Sequence, residues 1–440
     1  MTTETNTDPV ENCLGAHENF GATASGPQWL SDLRRTGITH FTELGFPNFR
    51  QEEWIFTNVK PILELSFLPA TAPASSPPEV DEFVYTKLSG PRLVFIDGHL
   101  SHSLSQIGNL PAGAIVTNLA SALESHPDLV EKHLGRYAKT DASGFSALNT
   151  AFIQDGAFIY LPKGVVIEQP IQLLFVATDG DANTVTLRNL IVAEPTSACK
   201  VIESYHSAGE QAVFTNAVTE VLVEESAQVE HCKFQDQNCE SFHIATIQAQ
   251  LGKAANFTSH SISTGSRIAR NNINFVLNGE GIDCTLNGLY VVGGNQVVDH
   301  HTLADHALPH CDSHEFYHGI LAGKSRGVFN GKIFVREDAQ KTDAKQSSRA
   351  ILLSNNATLN AKPQLEIYAD DVKCTHGATV GQLNREAVFY CRSRGIDEPS
   401  ARRLLTHAFA GEIIGRISIK PVRDRLESLL SDRLEHLIEQ

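Results

Sequence analysis

RNNINFVLNGEGIDCTLNGLYVVGG, residues 270–294, sets short apolar runs on either side of Asn-Gly steps. It reads as strand, turn, strand, because the runs are short, the apolar residues lack a 3.6-residue period, and Asn-Gly favours tight turns. The same texture extends from about Asn149 to Gly377, through AFIYLP, IQLLFVA, TVTLRNLIVA, ACKVIESYH, AVTEVLVEE, AQVEHCKFQ, FHIATIQAQL, GVFNGKIFV and ATLNAKPQLEIYA. The Asn-Gly turns are thus expected at Asn278-Gly279 and Asn287-Gly288, and a further one at Asn330-Gly331. A dozen or more strands with no helices between them fit a large sandwich or a β-helix. A β-helix stacks rungs that bury their apolar faces on one another, so it can exceed the size of a single ordinary core. The echoes VLNGEG, TLNGLY and VFNGKI lean towards the stack.

The flanks have a different character. Residues 1–110 open with a polar, disordered-looking tail, and WLSDLRRTG (29–37) and HFTELGF (40–46) read as helical segments. RQEEWIFTNVKPILEL (50–65) follows, then a Pro/Ala/Ser linker over 68–81. SALESHPDLVEKHLGRYA (121–138) is one more helical stretch before the strands take over. From Asn384 the helical period returns. EPSARRLLTHAFAGEIIGRI (398–417) aligns Leu404, Leu405, Ala408, Phe409, Ile413 and Ile417, with Glu398, Pro399 and Ser400 as start signals. PVRDRLESLLSDRLEHLIEQ aligns Val422, Leu426, Leu429, Leu430, Leu434, Leu437 and Ile438. The expected division is therefore 1–110 mostly helical, 111–383 a β core, and 384–440 helical.

The 35 basic and 51 acidic residues give a formal net charge of −16. Such a surface repels nucleic acid and anionic lipid, so neither is expected as a partner. No apolar run is long enough to span a bilayer. The start, MTTETNTDPVENC, lacks a basic and apolar leader, which makes the cytoplasm the expected compartment. The eight cysteines are scattered without a CxxC pair, so a disulfide framework or a self-contained four-cysteine zinc site is not expected.

Several segments invite a chemical reading. GILAGKSRG (319–327) approaches a P-loop, but only three residues separate Gly319 from Gly323, and a strand follows where a P-loop opens a helix. DHHTLADHALPHCDSHEFYHG (299–319) holds six of the 19 histidines, with His306, His310, His314 and His318 at every fourth position. It is open to a metal site or to hydrogen-bonded structural imidazoles. In DDVKCTHG (370–377), Cys374 and His376 share a strand face about 6.6 Å apart along the backbone. A thiol and an imidazole can hold one metal ion or one corner of an iron–sulfur unit, yet a closed tetrahedral site needs four ligands. Glu203, Glu220, Glu224, Glu225 and Glu230 read as solvent-facing strand positions, and no Gly-x-Ser-x-Gly, HExxH or GxGxxG signature appears. Hydrolase and dehydrogenase chemistry has no support.

Three long strings carry a family likeness: GLYVVGGNQVVDHHTLADHALPHCDSHEFYHGIL, GVFNGKIFVREDAQKTDAKQSSRAILLSNNATLNAKPQLEIYADDVKCTHGATVG and FYCRSRGIDEPSARRLLTHAFAGEI. With the shorter RQEEWIFTNV, they make the chain resemble the SufD family of the SUF iron–sulfur cluster assembly machinery. The resemblance implies a mainly β fold, a right-handed parallel β-helix core between a helical N-terminal region and an α-helical C-terminal domain. It implies a non-catalytic scaffold subunit that pairs with a SufB-like paralogue through the β-helix and docks a SufC-like ABC ATPase through the C-terminal helices. ATP hydrolysis would then belong to the partner. A transient iron–sulfur cluster would be shared at the subunit interface, with His376 inheriting the role of ligand and Cys374 a lesser metal-associated one. The acceptor cysteine would belong to the SufB branch, which is expected to carry a Cys-Gly-containing segment before a Val-Glu-His-Glu stretch; neither occurs here. A reduced flavin on the assembled complex and a homodimer stay open. The alternatives are a β-helix carbohydrate-active enzyme and a single-chain metal-binding protein using the histidine run.

Overall fold

The computed structural model describes residues 8–70, 78–180 and 182–438. The first seven residues and the middle of the Pro/Ala/Ser linker lie outside this range. The chain is mainly β, with helices at both ends around a β-solenoid of about eight turns. From Ala157–Leu161 onward, successive strands alternate between a ten-stranded and a nine-stranded sheet. Within each sheet, neighbours one turn apart pair in parallel. Phe242 pairs with Ile268, Ile268 with Val297 and Val297 with Arg326, so a turn takes between 26 and 29 residues here.

Parallel pairing overturns the role given to two Asn-Gly steps. Asn287-Gly288 lies inside the strand Asp283–Val292, and Asn330-Gly331 inside Arg326–Val335. Gly288 is there for space: a Cβ would lie 2.1 Å from the Tyr317 ring of the next turn. Asn278-Gly279 does fall just after a strand, Ile268–Leu277. GILAGKSRG is the corner between Asp312–Leu321 and Arg326–Val335, with Gly323 at φ 62°.

The solenoid interior is the main core, in which inward residues of both sheets meet, among them Val201, Phe257, Phe275, Tyr317, Phe329 and Ile333. A second apolar cluster lies outside the ten-stranded sheet. Ile202, Phe234, Ile262, Val291 and Ile320 face outward and are covered by the C-terminal helices Glu398–Ile414 and Lys420–Ile438 through Phe409, Ile413, Val422, Leu426, Leu430 and Leu434. Most of the sequence-read stripe is buried in this way, but Leu404 and Ala408 face solvent. The first helix of this end, Arg385–Ser393, buries no residue and exposes Phe389 and Tyr390.

At the other end, Pro9–Thr23 is a helix capped by Asp8 with Cys13 and Phe20 buried, so the disordered reading fails over these residues. The two segments read at 29–37 and 40–46 are one helix, Gln28–Leu44. The stretch 121–138 breaks into Leu119–Ser125 and Pro127–His133, because a residue before proline is driven out of the helical region. RQEEWIFTNV pins this end to the nine-stranded sheet. Trp54 lies over the Arg270 guanidinium at 3.7 Å, Glu53 Oε2 faces His301 Nδ1 at 2.9 Å, and Thr57 donates to Asp299 at 2.5 Å.

Glu203 and Glu220 are buried, against the solvent-facing expectation. Glu220 pairs with Arg188 at 2.8 Å and accepts backbone N–H groups from Gly135, Tyr137 and Ala138. Glu203 points into the solenoid, where it meets His231 at 3.0 Å and accepts from Tyr205 and Thr219. Burial pushes its carboxyl up, but His231 and Lys233 outweigh this and hold it below the usual range. Lys233, equally enclosed, is pushed down to about 7 by burial.

Candidate functional site at the open end of the solenoid

The ten-stranded sheet ends at Lys373–Gly381, which pairs with Asp343–Leu352 on one side and, among the described residues, has no strand on the other. The nine-stranded sheet ends likewise at Thr358–Ile367. Edges of this kind present unpaired backbone groups. Apolar side chains remain exposed here: Ile367, Tyr368 and Val380.

Cys374 and His376 sit on this last strand, opposite Ala344 and Gln346 of the turn below. Cys374 is half-buried and packs against the solenoid core, so it faces inward. Side chains two apart share a face of a strand, so His376 follows it, over the uncovered mouth of the stack, and is exposed. Burial pushes the Cys374 thiol up, which makes it a poorer ligand until a cation approaches. Cys199, Cys232 and Cys284 are buried thiols shifted upward by desolvation, and all eight cysteines are free.

The histidine run does not converge. It spans two strands that lie in different sheets, Val297–His306 and Asp312–Leu321, with His310 at the corner. His306 bonds Ser313 at 2.8 Å, His314 faces Asp343 at 3.4 Å, and His318 donates to the Phe409 carbonyl at 2.9 Å while stacking on that ring. His300 stacks on Tyr290, and His301 belongs to the N-terminal clamp. The hydrogen-bonded, structural reading is therefore the one that holds. Among the described residues, no three His, Cys, Asp or Glu side chains come together as a metal site. No described helix is long and apolar enough to cross a membrane.

Sequence reading missed the polar column beneath His376. Glu315 pairs in register with Gln346, and Gln346 with His376, all on the inward face. The signal was the spacing of 31 and then 30 residues, one turn each, but it has meaning only once the strands are stacked.

Comparison with known proteins agrees with this architecture. Residues 175–409 match the SUF system FeS cluster assembly SufBD core domain, and residues 19–173 the SufBD protein N-terminal region. An iron–sulfur cluster assembly SufBD family protein of Synechocystis is 33% identical over 92% of this chain and 91% of its own length. Iron–sulfur cluster assembly protein SufD of Escherichia coli is 30% identical over 92% of both chains, and SufD of Bacillus subtilis 28% identical over 95% of this chain and 97% of its own. A parallel solenoid flanked by helices, matched by both family domains and by relatives along nearly its whole length, places the chain in the SufBD family of iron–sulfur cluster assembly proteins.

Proposed function

We propose that this chain is a SufD-like scaffold subunit that performs no chemistry alone, and that a SufB-like partner completes a coordination sphere of which it holds one part. In this reading His376 supplies a neutral imidazole lone pair to a nascent iron–sulfur cluster, the cargo of the assembly, and Cys374 assists once iron lowers the cost of losing its proton. One observation carries the reading. A thiol and an imidazole share the last strand of an uncapped stack, and no further potential ligand among the described residues joins them. The missing ligands then come from the protein that covers the open strands. Histidine-run and carbohydrate-enzyme alternatives are not favoured by the family match.

The exposed helix Arg385–Ser393, with Phe389, Tyr390 and the neighbouring Leu404 facing solvent, is proposed to dock an ABC-type ATPase. Deleting 384–440 would also uncover the apolar sheet face beneath the two following helices, so point changes are the sharper test. Phe389→Ser with Tyr390→Ser should abolish co-purification of the ATPase while the melting curve stays put; retained co-purification would refute the docking assignment. His376→Ala should leave folding and subunit assembly intact while cluster yield on the complex collapses. Normal yield on that variant would sink the ligand role.

A further inference from the structure

Beneath His376 the interior is built around one amide. Gln346 is 3% exposed and lies across Gly331 of the facing sheet, where an added Cβ would come within 2.2 Å of the amide nitrogen. That nitrogen donates to Glu315 Oε2 at 3.2 Å, and the same oxygen accepts from Thr302 at 2.6 Å. The nitrogen end of the amide thus faces Glu315 and the oxygen end faces away from that bond. Gln346 Oε1 is left buried, and no donor among the described residues reaches it. A buried acceptor without a donor is costly, and native interiors rarely keep one. The next residue of the same inward column is His376, one rung of about 4.8 Å away.

We propose that Gln346 is a positioning residue for His376, its free Oε1 accepting an imidazole N–H so that the other ring nitrogen offers its lone pair to iron. Metal-binding histidines commonly donate their second N–H to such an acceptor, which sets tautomer and ring orientation. The inference rests on the reading of His376 as a cluster ligand and adds the groups that aim it: Gln346 directly, Glu315 through Gln346, and Gly331 by leaving room.

The full-length chain, labelled with ¹⁵N in its histidine rings, tests this by long-range ¹H–¹⁵N correlation, the His376 signals being those absent in His376→Ala. The wild type should show one fixed His376 tautomer. Gln346→Leu removes the acceptor and should release a tautomer mixture. Gly331→Ala should do the same from the opposite sheet with little loss of stability, since the atoms it meets end a flexible side chain. Glu315→Gln keeps a carbonyl for the amide and should resemble the wild type. On the assembled complex, Gln346→Leu and Gly331→Ala should each lower cluster formation about 10–100-fold, and the double variant no further. An unchanged tautomer in Gln346→Leu overturns this inference alone; normal cluster formation in His376→Ala overturns the ligand reading alone.

Discussion

A carboxylate on these strands can anchor a buried network, as Glu203 does with His231 and Glu220 with Arg188. The sequence alone reads both as outward, because strands with polar alternation usually have one wet face. Here both faces of most strands are covered, so a polar residue in the alternation can point into the solenoid or under the N-terminal loops. Glu220 shows the consequence: Glu220→Ala would leave Arg188 buried and three backbone donors unpaired, and should cost about 3–5 kcal/mol in urea denaturation. The buried imidazoles set a pH dependence. Burial pushes His206 and His300 down to about 3 and His306 to about 4. Below the ordinary histidine range the unfolded chain takes up protons that the folded one refuses, so stability falls as pH drops from about 6.5 towards 4. Each such group contributes about 1.4 kcal/mol per pH unit. Glu315, held protonated up to about 7 by burial, acts in the opposite sense. Denaturation midpoints measured between pH 7 and 4.5 should decline; a flat profile would contradict the buried, neutral state of these rings.

Strand texture was legible because short runs and missing helical period do not depend on tertiary context. What the strands pair with was less so. Asn-Gly suggested hairpins, but Gly288 makes room for Tyr317 one turn away and Gly331 for Gln346 on the facing sheet, partners that no local window pairs with them. The two positions should differ on substitution. Gly288→Ala meets the buried Tyr317 ring and should lower stability by about 1–3 kcal/mol, whereas Gly331→Ala meets a movable amide and should be nearly neutral. Thermal unfolding of the pair checks this. The helical ends were found by their apolar stripes, but the sequence could not distinguish Leu404, which stays exposed, from Phe409, which the sheet buries.

In the whole molecule, both ends of the chain fold back onto the solenoid. The C-terminal helices are tied down partly by Glu230, whose carboxylate accepts the Ser418 N–H at 2.9 Å and its hydroxyl. Burial pushes that carboxyl up, but bonds from His260 and Ser418 prevail and hold it at about 2. A depressed carboxylate stabilises above its unfolded value and loses that contribution as pH falls from about 4.5 to 2. Hydrogen exchange should therefore show the helices Glu398–Ile414 and Lys420–Ile438 loosening across that window, and Glu230→Gln should loosen them already at neutral pH. Helices that open no earlier than the solenoid would rule out this anchor.

The uneven length of the turns has a consequence for how such a chain can change over generations. Because 26 and 29 residues close equally well onto the turn below, extra length is absorbed at the corners. Insertions and deletions there are tolerated, whereas a single residue gained within a strand would turn the side chains that follow it in that strand to the opposite face. Divergent copies can therefore drift in loop length until no fixed period survives in their letters, while the inward columns, Glu315, Gln346 and His376 among them, stay aligned.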